Sequence, residues 1–110
     1  MDTDYTLEQV RELHARGEIQ LIDVRQPHEH EAGRIAGDRH IELGLLSAQV
    51  ETIDRDTPIV FYCKTGARSA MATEAFRAAG FDAHNMAGGL KDWDAEGLPL
   101  EPADGYVADA

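Results

Sequence analysis

Apolar residues along this chain switch between helical and strand spacing, and the switching predicts the architecture. Leu7, Val10 and Leu13 recur at helical intervals behind Thr6-Leu7-Glu8-Gln9, a capping-box pattern, and Gly17 stands where a helix C′ residue is expected. Gln20-Leu21-Ile22-Asp23-Val24 then reads as a buried strand. Pro27, suited to a first helical position, opens a short acidic helix that runs to Ala32 and stops at Gly33. Residues 33–44 are mostly loop with a brief strand at His40-Ile41-Glu42, and Leu45 to Ile53 predicts a helix. Pro58-Ile59-Val60-Phe61-Tyr62 is a second buried strand, followed by an alanine-rich helix from Arg68 to Ala79. Asp82 to Met86 predicts a further strand, Gly88-Gly89 a tight turn, and Leu90 to Ala95 a last helix closed by Gly97. From Glu101 onward periodicity is absent, so the expectation is one domain over 1–100 and a mobile tail over 101–110. Strands alternating with helices predict an α/β domain with a mainly parallel sheet and its functional groups at the carboxyl ends of strands.

Composition narrows the classes of function. At 110 residues and 43% hydrophobic content the chain supports one core and one domain. No apolar stretch approaches the ~20 residues of a membrane span, and Met1-Asp2-Thr3-Asp4 lacks the basic and apolar regions of a signal peptide. A single cysteine excludes an internal disulfide framework and suits a reducing, cytoplasmic setting. The net charge of −11, from 21 acidic and 10 basic residues, repels nucleic acid and anionic membranes, so neither is an expected partner. Against that background Lys64 stands out, because Lys91 is the only other lysine.

Lys64 directly follows the one cysteine, Cys63. A lone cysteine in a small domain is ordinarily a buried filler, but here it ends a strand and precedes Lys64-Thr65-Gly66-Ala67-Arg68-Ser69 and a helix. Strand, glycine-containing loop and helix N-terminus together aim unpaired N–H groups at one point and favour an anion there. A free thiol near pKa ~8.5 is only about 3% ionised at pH 7, so donors that lower it create a nucleophile. Gly66 lets the loop backbone curl inward. Lys64 reads either as a solvated loop residue or as a contact for substrate oxyanions. Arg68, unfavourable for the dipole of a first helical turn, reads as an anion ligand or a loop-shaping donor. Thr65 and Ser69 are expected to fix the loop through hydroxyl-to-backbone bonds. Asp23 and Arg25, at a strand end near Glu29, read as structural support, with Arg25 bridging carboxylates. Trp93 anchors the last helix. His28 and His30 fall on different faces of a short helix and do not make an i, i+4 zinc pair, so neither metal nor cofactor is expected.

Leu21-Ile22-Asp23-Val24-Arg25, Glu29 with Gly33-Arg34-Ile35-Ala36-Gly37, the Cys63–Ser69 loop, and Gly88-Gly89-Leu90 with Trp93 and Gly97-Leu98-Pro99 resemble the rhodanese domain in content, order and spacing over about residues 5–100. Departures from that family's pattern, at Arg34, Ala36, Asp38 and Glu42, lie in one connection and leave the reacting loop untouched. The resemblance implies a three-layer fold with a parallel five-stranded sheet wrapped by helices, and thiosulfate sulfurtransferase activity through a persulfide on the cysteine matching Cys63. It implies a small anionic sulfur donor and an acceptor such as cyanide, a small thiol or thioredoxin. Four residues separate Cys63 from Arg68, whereas tyrosine-phosphatase-like cradles place five there. Sulfur transfer is therefore expected ahead of arsenate reductase or phosphatase work with Cys63 and Arg68, and ahead of a non-catalytic sulfur-carrier or interaction module.

Overall fold

The computed structural model describes residues 3–110. It forms one sheet from β1 (Asp4–Tyr5), β2 (Gln20–Asp23), β3 (Arg39–His40), β4 (Ile59–Tyr62) and β5 (Ala83–Met86), in the order β1-β5-β4-β2-β3. Every pairing is parallel. The connections carry α1 (Leu7–Ala15), α2 (Pro27–Ala32), α3 (Leu46–Gln49), α4 (Ala67–Ala78) and α5 (Gly89–Ala95).

The apolar run of β4 is explained by burial on both faces, as a central parallel strand requires. Successive side chains point opposite ways. Ile59 and Phe61 join Ile22, Leu46, Ala72 and Phe76 under α3 and α4, while Val60 and Tyr62 join Leu7, Val10, Leu90 and Trp93 under α1 and α5. Helices therefore cover both faces, giving the three layers that the resemblance implies. Thr6 caps α1 as expected: its Oγ1 accepts from the Gln9 N–H at 3.1 Å, and its own N–H donates to the Gln9 side chain at 2.9 Å.

Chain order reverses between β2 and β4: β3 lies outward from β2 on one side, β5 and β1 outward from β4 on the other. In open α/β sheets the crevice for ligands opens at that reversal, beyond the strands' carboxyl ends. Asp23 and Tyr62 are partners in the last register of β2 and β4, so Cys63 follows directly at the crevice.

Three local differences have physical causes. The helix expected at 45–53 is a composite, with 3-10 turns at Leu43–Leu45 and Val50–Thr52 around α3. Gly44 at its entrance and the β-branched Val50, Thr52 and Ile53 at its exit are poor helix formers. The strand expected at 40–42 is Arg39–His40, yet its ladder continues, with the Ile41 and Leu43 N–H groups donating to Asp23 and Val24 carbonyls at 3.0 Å. β1 was not expected: two residues are too few for an alternation, and it forms because Thr3 and Tyr5 carbonyls accept from Asn85 and Ala87 N–H groups. Residues 101–109 have partners of their own, beginning with a β-bridge between Arg34 and Glu101. No helix among the described residues is long and apolar enough to cross a membrane.

Candidate active site

Cys63 leaves β4 and is 1% exposed. Its Sγ accepts from the Gly66 N–H at 3.1 Å and from the Ser69 Oγ at 3.3 Å. Gly66 is the N-cap of α4 at φ 107°, the left-handed region that favours glycine, and this conformation turns its N–H back onto the sulfur. Ser69 lies in the first turn of α4, a 12-residue helix whose N-terminal dipole faces the same point. Burial pushes the Cys63 thiol up, but the Ser69 hydroxyl and the N–H groups of Ser69, Gly66 and Thr65 outweigh it and hold the thiol below its ordinary range. Donors thus gather around the sulfur, with Thr65 contributing its backbone and Ser69 directing its hydroxyl to Sγ where a hydroxyl-to-backbone bond was expected.

A second turn clamps the loop from outside. The N–H groups of Leu90 and Lys91, in the first turn of α5, donate to the carbonyls of Cys63 and Lys64, each at 2.9 Å. Gly89 makes this approach possible: a Cβ there would lie 2.6 Å from the Lys64 carbonyl carbon and 2.8 Å from the Cys63 carbonyl oxygen. Beneath the loop, Asn85 donates from Nδ2 to the Gly66 carbonyl at 3.4 Å. The Gly88-Gly89 turn was visible in the sequence as a turn; the support from Asn85 carried no signal there.

Both cations of the loop hold carboxylates of the chain. Arg68 grips Glu29 with both terminal nitrogens, at 2.8 and 2.9 Å, and the Glu29 side chain is fully buried. Burial pushes the Glu29 carboxyl up, yet Arg68 and the Gln26 N–H at 3.0 Å bring it below the usual carboxylate range. Of the two roles open to Arg68, the geometry matches the loop-shaping one, tying the start of α4 to α2. Lys64 Nζ meets the Asp109 carboxylate at 2.7 Å. Glu29 was noted in the sequence as a neighbour of Arg25 and as part of the family resemblance but not as a partner of Arg68, and Asp109 was missed, because its contact crosses 45 positions of chain.

Asp23 and Arg25 form a buried pair behind the loop. Arg25 donates from Nε and Nη2 to Asp23 at 2.9 and 2.7 Å and from Nη2 to the Gly33 carbonyl at 2.7 Å. Arg25 therefore joins β2 to the exit of α2, holding one carboxylate rather than bridging several. His30 Nδ1 lies 2.9 Å from Asp23 and 3.6 Å from Asp38. The ligand-type atoms of Asp23, His30 and Asp38 fall within 4.8 Å of one another. Their oxygens already accept from Arg25 and from the Tyr62 hydroxyl, the latter at 2.6 Å, so the trio fits an internal hydrogen-bond network better than a cation cage. His28 is turned elsewhere, to the Asp109 carbonyl at 2.8 Å. Two apolar clefts of about 400 and 410 Å³ flank the helices, and neither is lined by a residue of the Cys63–Ser69 loop.

The family model for the rhodanese-like domain matches residues 6–96. The chain belongs to that family. The rhodanese-like domain described here is similar to the thiosulfate sulfurtransferase GlpE of Pseudomonas aeruginosa, 36% identical over 87 residues that cover 78% of each chain. It is also similar to the uncharacterized protein YqhL of Bacillus subtilis, 41% identical over 75 residues, which are 67% of this chain and 60% of that protein. Among solved structures, a rhodanese-related protein from Thermoplasma volcanium superposes with a TM-score of 0.82 at 28% identity, over 88% of this chain and 95% of that one. The rhodanese-like domain thus has sulfurtransferase relatives, and its sheet and helices follow the family's architecture.

Proposed function

We propose that this rhodanese-like domain is a sulfurtransferase that carries sulfur as a persulfide on Cys63. The observation that supports this most is the convergence of donors on one sulfur atom: the Gly66 N–H at 3.1 Å and the Ser69 hydroxyl at 3.3 Å, around a Cys63 that is 1% exposed. In the first half-reaction the Cys63 thiolate attacks the outer sulfur of thiosulfate. The new S–S bond forms as the bond to the sulfonate sulfur breaks, and the electron pair leaves with sulfite. In the second, an acceptor thiolate or cyanide attacks the terminal sulfur and Cys63 departs as thiolate. Neither half requires a metal ion or a general base, because the donors that lower the thiol also stabilise the leaving thiolate. Lys64 would meet the donor's oxygens, and Thr65, Gly66 and Ala67 form the cradle wall between Cys63 and Arg68.

The reading extends to a small anionic donor, a thiol acceptor of the thioredoxin kind and a cytoplasmic setting. Arsenate reductase or phosphatase chemistry is disfavoured by the six-residue loop, in which Arg68 is held by Glu29 rather than free to clamp a tetrahedral oxyanion. A carrier module without turnover remains distinguishable by assay. The test is thiosulfate with cyanide, an aryl phosphate and arsenate side by side, on wild type and Cys63→Ser. Wild type should gain the mass of one sulfur atom on thiosulfate treatment and form thiocyanate. Cys63→Ser should do neither while keeping its circular dichroism spectrum. Turnover of the aryl phosphate alone would overturn the proposal.

A further inference from the structure

Both cations of the reacting loop are answered by carboxylates of the chain itself: Arg68 by Glu29 and Lys64 by Asp109. Glu29 belongs to α2, inside the matched family region, but Asp109 lies beyond residue 96, where that match ends. Asp109 reaches Lys64 because residues 101–109 are seated along a defined course. Arg34 and Glu101 exchange backbone hydrogen bonds at 3.0 and 2.7 Å, and the Tyr106 N–H donates to the Ala32 carbonyl at 3.0 Å. His28 Nε2 then donates to the Asp109 carbonyl at 2.8 Å.

Two glycines let this segment lie directly on the exit of α2. A Cβ on Gly33 would stand 2.8 Å from the Tyr106 nitrogen, and one on Gly105 would stand 3.0 Å from the Ala32 oxygen. Gly33 is in extended backbone that any residue adopts, so what a side chain would disturb there is the seat of the segment.

We infer that residues 101–109 form a strap that sets specificity by charge, with the Asp109 carboxylate held where the oxyanion of an incoming reagent would meet Lys64. A dianionic donor must displace a tethered carboxylate, whose effective concentration is high because its course is set by the contacts above. An uncharged reagent has no such competitor. The pair is solvent-facing, with Asp109 95% exposed, so the discrimination is moderate and screened by salt. The inference takes from the proposed function that Cys63 is the reacting atom and that the donor is anionic.

The experiment separates the two readings by using two alkylating reagents of similar size, iodoacetate and iodoacetamide, alongside thiosulfate. Asp109→Asn should speed Cys63 alkylation by iodoacetate about threefold at low ionic strength, leave iodoacetamide unchanged, and lower the KM for thiosulfate by a similar factor. Both gains should shrink toward nothing at ~0.5 M salt. Gly33→Ala, which unseats the strap from a different point, should move the reagent ratio the same way. In a Lys64→Ala background Asp109→Asn should change nothing further. An unchanged iodoacetate-to-iodoacetamide ratio, or an equal effect with Lys64 absent, would overturn the strap. A shifted ratio in a protein that never takes up sulfur would keep the strap and refute sulfur transfer. Sulfur uptake with an unshifted ratio would do the reverse.

Discussion

Ser69→Ala removes one donor from the Cys63 sulfur and leaves the backbone cradle in place. The Ser69 side chain is fully buried and its Oγ lies 3.3 Å from Sγ. Hydrogen bonds to charged groups contribute about 1.5–3 kcal/mol. Sulfur is a diffuse acceptor, so the low end, about 1.5 kcal/mol, is the working value, and it amounts to a roughly tenfold smaller ratio of thiolate to thiol. The more basic thiolate is also more nucleophilic, by about threefold at a Brønsted slope of ~0.4–0.5. Below the titration midpoint the variant should therefore load sulfur about threefold more slowly than wild type. Above it, where both are ionised, it should react about threefold faster. Discharge to an acceptor should slow at every pH, because Cys63 then leaves as a more basic thiolate. The assay is the rate of iodoacetamide alkylation and of persulfide formation, from about pH 5 to about pH 10, across the ordinary thiol range. The two profiles should cross. A midpoint that stays put, or a uniform drop at all pH values, would refute the hydrogen-bond argument.

Arg68→Gln should destabilise the domain by about 3 kcal/mol near neutral pH, since it leaves the buried Glu29 carboxylate without its bidentate partner. The wild-type Glu29 carboxyl is held below its unfolded value, so its stabilisation is present above about pH 4.3 and is lost as pH falls through the folded value. Urea unfolding on an acid series should show the gap between variant and wild type closing on acidification; a constant gap would argue that Glu29 and Arg68 are not coupled. Gly89→Ala should destabilise by about 2–4 kcal/mol, because alanine must adopt φ 65° and its Cβ would overlap the Lys64 carbonyl group. Thermal unfolding checks this, and a melting temperature equal to wild type would mean that the loop can withdraw from α5 at no cost.

What the sequence made legible was local. The runs at 20–24 and 58–62 are continuous because β2 and β4 are covered on both faces, and their alternation could be followed into two separate cores. Cys63, Gly66 and Ser69 could be placed together because strand, glycine and helix start are consecutive in the chain. Asn85, Glu29 and Asp109 come to the loop across 19, 39 and 45 positions. Their local patterns describe only a strand, a short helix and an unpatterned segment. Lys64 and Arg68 were legible as cations but not as occupied ones, since neither partner follows at a helical or strand interval.

The parallel sheet has an outcome that concerns crowding rather than catalysis. Its two open margins are β1, Asp4–Tyr5, and β3, Arg39–His40, each only two residues long. An exposed margin is where a foreign strand can add on, and length and apolarity are what make it adhesive. The sticky segment, Ile59–Tyr62, is instead sealed in the middle between β2 and β5. Each margin carries a charged residue, and copies at −11 repel one another. Concentrated stocks of the folded protein should thus resist fibril seeding, and aggregation should begin only where unfolding brings Ile59–Tyr62 to the outside.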